Sequence, residues 1–408
     1  MIYNQRDIVI VGGGPAGMMA GLLLARAGLR VTVLEKHADF LRDFRGDTVH
    51  PSTLDLFHQL GMLDDLLELP HSRVDQASIH IAGRQMKAID FCHLPVAAPY
   101  IAMMPQWDLL DFIAARAKQY PGFELLMQTE AVDLCYDEAE RVSGVETRDG
   151  QILHAKLVVA ADGRRSVLRG KAELPLQNIG APMDVFWFRI DKPEGYGGDV
   201  FATVQAGKFM VMIDRRDYYQ CAFVFNKGQA AAVQAEGLDA FRANLRSLAP
   251  DLSAAFDQIS DWDQVKTLEV ALDRLTRWHR PGLLAIGDAA HAMSPIGGVG
   301  INIAVQDAVA TANILAGPMA KGEDPDPLLA QVYARRIKPV RRMQALQKFA
   351  QDNIIEPLLR RTKPIKKPFF ILRVLNRVPW LRRLPGRVVG LGFGREDIHS
   401  PEVTSVTE

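Results

Sequence analysis

The chain has 408 residues, enough for two or three closely packed domains rather than one simple core. Its 48 Lys and Arg balance 48 Asp and Glu, so the global charge proposes neither nucleic acid nor an anionic surface as a partner. Three scattered cysteines, Cys92, Cys135 and Cys221, have no Cys-x-x-Cys spacing; this argues against a disulfide framework, a zinc cluster or a dithiol centre and fits a reducing cytoplasm.

A short apolar run at 7–11 ends in glycines, 15–27 carries helix formers, and 31–34 is apolar and β-branched again, which reads as a βαβ unit. A strand beginning near Asp7 leaves no room for a signal peptide, and no uncharged apolar run approaches the length of a bilayer span, so a soluble cytoplasmic protein is expected. Pro51 opens a helix that runs to Gly61, and a second covers 63–69. Strands at 77–81 and 86–91 precede an amphipathic helix with Leu109, Leu110, Ile113 and Ala117 on its apolar face. Strands follow at 125–127, 131–136, 142–147 and 152–154, leading to the fully apolar 157–161, the pattern of a strand buried on both faces.

From 185 to 225 the chain changes character. Aromatic and β-branched segments at 185–190, 200–205, 209–213 and 219–225 are separated by Gly, Asp and Arg, as in an inserted antiparallel sheet. A helical stretch over 238–259, a returning strand at 283–286 and a long helix over 300–315 come next. Beyond Val332 the chain is helical and basic, with Arg and Lys interleaved with Phe369, Phe370, Leu372 and Trp380. That composition reads as a solvated basic face over the first domain, with a patch resting on anionic lipid as the other reading.

The first strand runs straight into Gly12-Gly13-Gly14-Pro15-Ala16-Gly17, and Glu35 stands about 20 residues on at the end of the next strand. Gly12 permits the tight turn, Gly14 lets backbone approach a pyrophosphate, and Gly17 lets helix pack on strand. Glu35 can accept hydrogen bonds from an adenosine ribose and disfavours a 2′-phosphate, so the dinucleotide is FAD or NAD. Two later strands each end in an acid, at Asp162-Gly163 and at Gly287-Asp288, on the carboxyl edge where open α/β sheets bind ligands.

These three motifs in this order resemble the single-component aromatic hydroxylases of the para-hydroxybenzoate hydroxylase type, the class A flavoprotein monooxygenases. The resemblance spans nearly the whole chain. It implies an α/β fold in which 1–180 and 270–330 form a discontinuous Rossmann-type FAD-binding domain, 181–269 an inserted antiparallel-sheet substrate domain to which 77–105 contributes, and 331–408 a basic helical C-terminal segment. Gly12, Gly14, Pro15, Ala16, Gly17, Glu35 and Lys36 would hold the adenosine end of FAD. Asp288 would meet its ribityl or pyrophosphate part, and the Asp162-Gly163 loop would serve FAD and a transient NADH or NADPH. Pro295, Gly298, Val299, Gly300, Ile301 and Asn302 match the segment that runs along the isoalloxazine, where the following helix N-terminus can stabilise negative charge on the reduced ring.

Arg45 matches an arginine the family uses near flavin and reductant, with a surface salt bridge as the other reading, and Gln106 matches its ribityl-contacting position. Arg45, His50 and Pro295 are the catalytic candidates, whereas His291 is better explained by packing or backbone bonding. The implied reaction uses NAD(P)H and O₂, through a flavin C4a-hydroperoxide, to hydroxylate an aromatic or polyketide-like molecule in a dry pocket. Trp187, Phe201, Met210, Met212 and Phe223 are the candidate lining between the inserted sheet and the Pro295 turn. An antibiotic-inactivating or Baeyer–Villiger-type monooxygenase, a ubiquinone-pathway hydroxylase and a non-catalytic flavin-bearing regulatory protein remain alternatives. Expected partners are the organic substrate and O₂, no nucleic acid, and a monomeric or homodimeric state.

Overall fold

The computed structural model describes residues 6–41, 47–193 and 201–403, with Phe201 described by its backbone alone. Ile8, Val9 and Ile10 are fully buried although successive strand residues point to opposite faces, so the sheet they enter is covered on both sides. That sheet runs His279–Arg280, Leu283–Ala285, Ile152–Ala160, Arg6–Val11, Val31–Leu34, Phe123–Leu126. Along this path every pairing is parallel except the one that includes His279–Arg280, and an antiparallel hairpin, Ala131–Tyr136 with Val142–Thr147, branches from Ile152–Ala160. Ile10 lies opposite both Val33 and Val159, so three strands end level with one another.

Where the sequence suggests separate strands at 152–154 and 157–161, Ile152–Ala160 is continuous. Its first half pairs antiparallel with Val142–Thr147 and its second half parallel with Arg6–Val11, so a change of partner replaces the expected break.

The second sheet runs Lys266–Leu268, Met183–Asp191, Tyr218–Asn226, Lys208–Asp214, Phe201–Gln205, Gln76–Ile81, Arg84–Asp90. Its pairings are antiparallel except that of Phe201–Gln205 with Gln76–Ile81, through which an earlier hairpin completes the sheet. One face packs Phe186, Phe188, Met210, Met212 and Phe223 against Phe241 of the helix Leu238–Leu248. The helix expected over 238–259 stops there because Pro250 cannot donate a helical hydrogen bond, and two 3₁₀ turns, Pro250–Leu252 and Ala255–Gln258, follow.

The stretch Ile296–Ala320 is long and apolar enough to cross a membrane by length and composition, although it is not the uncharged run that the sequence reading excludes, since it carries Asp307. Most of it is buried inside the protein, and the helix Gly300–Ala320 within it packs as a core element that is apolar on nearly every side. Its one acid, Asp307, is wholly buried. Asp307 accepts from the Gly287 amide at 3.1 Å and pairs with His291 at 2.6 Å and with Arg336 at 2.8 Å. Burial by itself raises this carboxyl, but the charges and hydrogen bonds of His291 and Arg336 outweigh it and hold the group below the ordinary carboxylate value. Arg336, on the helix Asp326–Ala350, also donates to the Gly394 carbonyl at 2.9 Å and faces Glu396 at 3.5 Å.

Arg336→Met should therefore cost on the order of 3–5 kcal/mol, since it leaves Asp307 short of a partner in a dry interior. Arg335→Met should cost less, on the order of 1–2 kcal/mol, because Arg335 is half-exposed and its buried partner Glu396 still faces Arg336. Urea unfolding of the flavin-loaded protein measures both, and equal losses for the two variants would remove the buried network from this role.

Candidate active site

The ends of the parallel strands bring the glycine turn together with both acidic loops. Gly12 takes φ +111°, and a side-chain carbon there would overlap the Ala161 carbonyl oxygen. Gly14 differs: its φ of −76° suits any residue, and an added Cβ would meet nothing within 4 Å. The protein itself does not require a glycine at 14, so the open space is what a close-lying ligand would use. Helix Pro15–Arg26 starts there without a side-chain cap, which leaves its first amides directed at that space. Buried Glu35 accepts from the amides of Gly13 and His37, each at 3.1 Å, while neighbouring Lys36 is exposed.

Asp162 is turned into its own loop, accepting from Ser166 Oγ at 2.5 Å and from the amides of Val167 and Leu168 at 2.8 and 3.2 Å. Burial pushes its carboxyl up, and these donors offset part of the rise. With Gly163 at φ +81°, the loop presents Arg164, whose Nε donates to Asp288 at 3.0 Å and whose Nη2 donates to the Met293 carbonyl at 3.2 Å. The Arg164 Nη1 is buried without a protein partner among the described residues. A Cβ on Gly287 would lie 2.9 Å from that of Ala16, so the Gly287-Asp288 turn rests on the first helix. Asp288 itself stays about one-third exposed.

Further along, Pro295 leads into Gly297 and Gly298, both at positive φ, and the Gly298 carbonyl accepts from Thr48 at 2.8 Å. A side chain at Gly298 would collide with Thr48, 2.6 Å away. Buried Val299 and Ile301 flank Gly300 at the start of the long helix, and Asn302 accepts from Ser52 at 3.1 Å and from Thr53. Three buried glutamines hold this turn from outside: Gln344 reaches the Ala292 carbonyl, Gln347 those of Ser294 and Ile296, and Gln351 the Ser294 hydroxyl. Their spacing along one helix face was visible in the sequence, yet polar residues in a basic helix read as solvent-facing.

Other candidates fall differently. His50 is wholly buried, with Nδ1 giving its hydrogen to the Val389 carbonyl at 2.8 Å, and burial drives its pKa down to about 4. Arg45 lies outside the described residues. Gln106 is half-buried, and its amide donates to Asp47 at 3.3 Å. Asp47 pairs at 2.6 Å with Arg215, both buried, and Arg215 also donates to Gln220 at 3.0 Å. Burial pushes the Asp47 carboxyl up and the Arg215 guanidinium down, each shift opposed by the charge of the other. This pair, which the sequence reading missed, joins the second sheet to the chain just before Thr48.

The face of the second sheet toward the Pro295 turn carries Trp187, Val211 and Ile213, with Ile296, Ile101 and Met103 against it. Trp187 keeps its indole N–H buried with no partner among the described residues. Met210, Met212 and Phe223 do not line this space, which corrects that expectation. Strand alternation turns all three into the core on the other face, while Val211 and Ala222 are the residues that face inward. The Phe201 side chain lies outside the described residues; its backbone pairs opposite Met212. The open cradle at Gly14, the unpartnered Arg164 and Trp187 donors and the glycine turn at 297–298 fit a long dinucleotide with a flat group at its far end.

A family model described as an FAD binding domain matches residues 5–347. A 6-methylpretetramide 4-monooxygenase of Streptomyces rimosus is 31% identical over 346 residues, 84% of this chain and 82% of that protein. A rifampicin monooxygenase of Streptomyces venezuelae is 28% identical, covering 81% of this chain and 68% of its own length. Among solved structures, the tetrameric form of 2-methyl-3-hydroxypyridine-5-carboxylic acid oxygenase superposes with a TM-score of 0.72 over 93% of this chain and 98% of that one, at 20% identity, and so shares the fold. A match of this length, together with a relative this similar, places the chain in the family its motifs resemble: it belongs to the class A FAD-dependent flavoprotein monooxygenases.

Proposed function

We propose that this monooxygenase uses NADH or NADPH and O₂ to hydroxylate an aromatic or polyketide-like small molecule held between the 295–298 turn and the inner face of the second sheet. The observation that carries the reading is the open space at Gly14, at the strand end beside the loops that hold the Arg164 and Asp288 pair, with Trp187 and Val211 clustered against Ile296 of the glycine turn. Bound FAD would supply the redox chemistry, with NADH or NADPH as the two-electron reductant and O₂ as the source of the inserted oxygen atom, the other oxygen leaving as water.

The protein's share is placement and exclusion of water. The amides at the start of helix Pro15–Arg26 bind the pyrophosphate, and Glu35 holds the ribose. Asp288 accepts from a ribityl hydroxyl beside its bond to Arg164. The N-terminus of helix Gly300–Ala320 favours negative charge on the reduced ring, and the three glutamines keep the turn before it from shifting. The apolar inner face keeps the oxidising site dry, and the Trp187 N–H offers one donor to a carbonyl or phenol oxygen of the substrate. His50 is a positioning residue rather than a proton carrier, since it is neutral near pH 7 and its one N–H is given to Val389.

Gly14→Ala should leave the thermal unfolding of the flavin-free protein unchanged and weaken FAD at least about tenfold, because the new methyl meets only the ligand. Unaltered FAD affinity would separate this turn from the coenzyme.

The reaction is tested by NADH and NADPH consumption over phenols, hydroxylated polycyclic ketones and quinone precursors, with H₂O₂ measured alongside. Product carrying one atom of ¹⁸O from ¹⁸O₂ is expected. Val211→Phe should raise KM for that substrate with FAD content intact, whereas Met212→Leu should change neither. Reversed effects would put the substrate on the wrong face of the sheet.

The folded His50 titrates at about 4 against 6.5 for a free imidazole. Between those values the unfolded chain binds the extra proton, so the contribution is complete above pH 6.5 and is lost as pH falls toward 4. His50→Asn, which can keep the donor to Val389, should flatten this part of the acid-unfolding curve by on the order of 3 kcal/mol. A variant whose stability falls just as steeply over that range would show that other groups govern the acid loss.

A further inference from the structure

Between Glu356 and Glu396 the chain carries eleven Lys and Arg and no acid, although the whole molecule is neutral. This stretch folds as a helical hairpin, Phe370–Arg377 and Arg383–Leu391, joined by the 3₁₀ turn Pro379–Arg382. The hairpin is firmly seated. Buried Arg382 donates to the carbonyls of Leu375 and Asn376 at 2.8 and 2.6 Å, closing the end of the first helix. Asn376 accepts from the Lys87 amide at 3.1 Å, Leu372 is buried beside Met86 and Ala88, and Gly386 lies so close to the Asp90 carbonyl that a side chain would overlap it.

The outer side of this rigid hairpin is apolar where solvent should be. Phe370 is 72% exposed, and Ile371, Trp380 and Leu384 are each 60% exposed. Lys366, Lys367, Arg373, Arg377, Arg383 and Arg387 are exposed around them, and none pairs with a carboxylate among the described residues. We propose that the 366–387 hairpin docks the protein on an anionic lipid bilayer, with Phe370, Ile371, Trp380 and Leu384 entering the headgroup region and the surrounding Lys and Arg meeting lipid phosphates.

Charge complementarity selects this occupant. A second copy of the chain would bring like charges together across a symmetric contact, whereas a bilayer bearing acidic headgroups offers opposite charge and an apolar layer behind it. Isoleucine and leucine at the exposed positions serve acyl chains rather than the base stacking that a nucleic acid would require. The hairpin's far end reaches the substrate side of the molecule, since Val389 and Leu391 pack in one cluster with Trp187, Val211 and Ile213. Docking would thus hold that wall of the site toward the lipid, and it stands or falls independently of which reaction occurs there.

Flavin-loaded full-length protein is sedimented with vesicles of phosphatidylcholine, alone or with about one-third phosphatidylglycerol. Binding should be at least about tenfold stronger to the anionic vesicles and should weaken as salt rises from about 0.1 to about 0.5 M. Phe370→Ser with Trp380→Ser, and separately Arg373→Glu with Arg377→Glu, should each reduce it at least about tenfold, with FAD content and thermal unfolding unchanged. The proposal is overturned by absence of vesicle binding, by binding that both variants retain, or by a concentration-dependent dimer in sedimentation velocity that the Phe370→Ser, Trp380→Ser variant abolishes. Salt-sensitive capture of single-stranded RNA in place of vesicles would overturn it equally.

Discussion

Asp307 divides its two oxygens between two parts of the chain: one accepts from the Gly287 amide and the His291 ring, and the other from Arg336. An ion without water is costly unless each lone pair is met, so these partners cannot drift independently. Arg336 in turn is held by Gly394 and Glu396, and the Glu396 amide donates to Gln306, one residue before Asp307. The turn that carries Asp288 is therefore positioned by residues about a hundred places later in the chain. A ligand-binding loop at the end of a parallel strand is common to open α/β sheets, and here the loop after Leu283–Ala285 is tied to the C-terminal segment through Asp307 and Arg336.

A second constraint is the two-residue repeat of the inserted sheet. Met210, Val211, Met212 and Ile213 are all apolar, and nothing in composition separates the two faces of a strand covered on both sides. The structure separates them by what lies opposite: Phe241 and its helix take the even-numbered residues, and Ile296 and Met103 take the odd ones. The proposed substrate wall and the core face thus alternate residue by residue along the same strand, and a register shift of one would exchange them.

The features legible in advance were those that local chemistry dictates. Gly12, Gly17 and Gly287 were readable because each sits where a side chain would collide with a neighbouring segment, and Asp162 and Asp288 because they follow apolar strands. The helix end at Leu248 was also present in Pro250 but was passed over. What the sequence hid depends on distance along the chain. The Asp47 and Arg215 pair joins residues 168 positions apart, and Asp214-Arg215-Arg216-Asp217 has the composition of an exposed turn. Likewise the role of Gln344, Gln347 and Gln351 exists only once a loop 50 residues earlier is brought against their helix.

Taken together, these contacts give the C-terminal segment two duties that demand stiffness. Its long helix and the residue after it hold the 292–296 segment through three glutamines and reach the Gly287 turn through Arg336 and Asp307, and its hairpin packs Val389 and Leu391 in the cluster that contains Trp187 and Val211. Gly386 and Gly390 let that hairpin sit directly on Asp90 and on Leu94, Phe91 and Pro51, closer than any larger residue would permit. Exposed aromatic residues on a loosely attached segment could be put down to fraying, but this segment is anchored on its inner side by the close approach of Gly386 to the Asp90 carbonyl and by Asn376, which accepts from the Lys87 amide. The apolar outer surface is therefore a property of the packed fold, maintained at a cost in solvation that the site itself does not require.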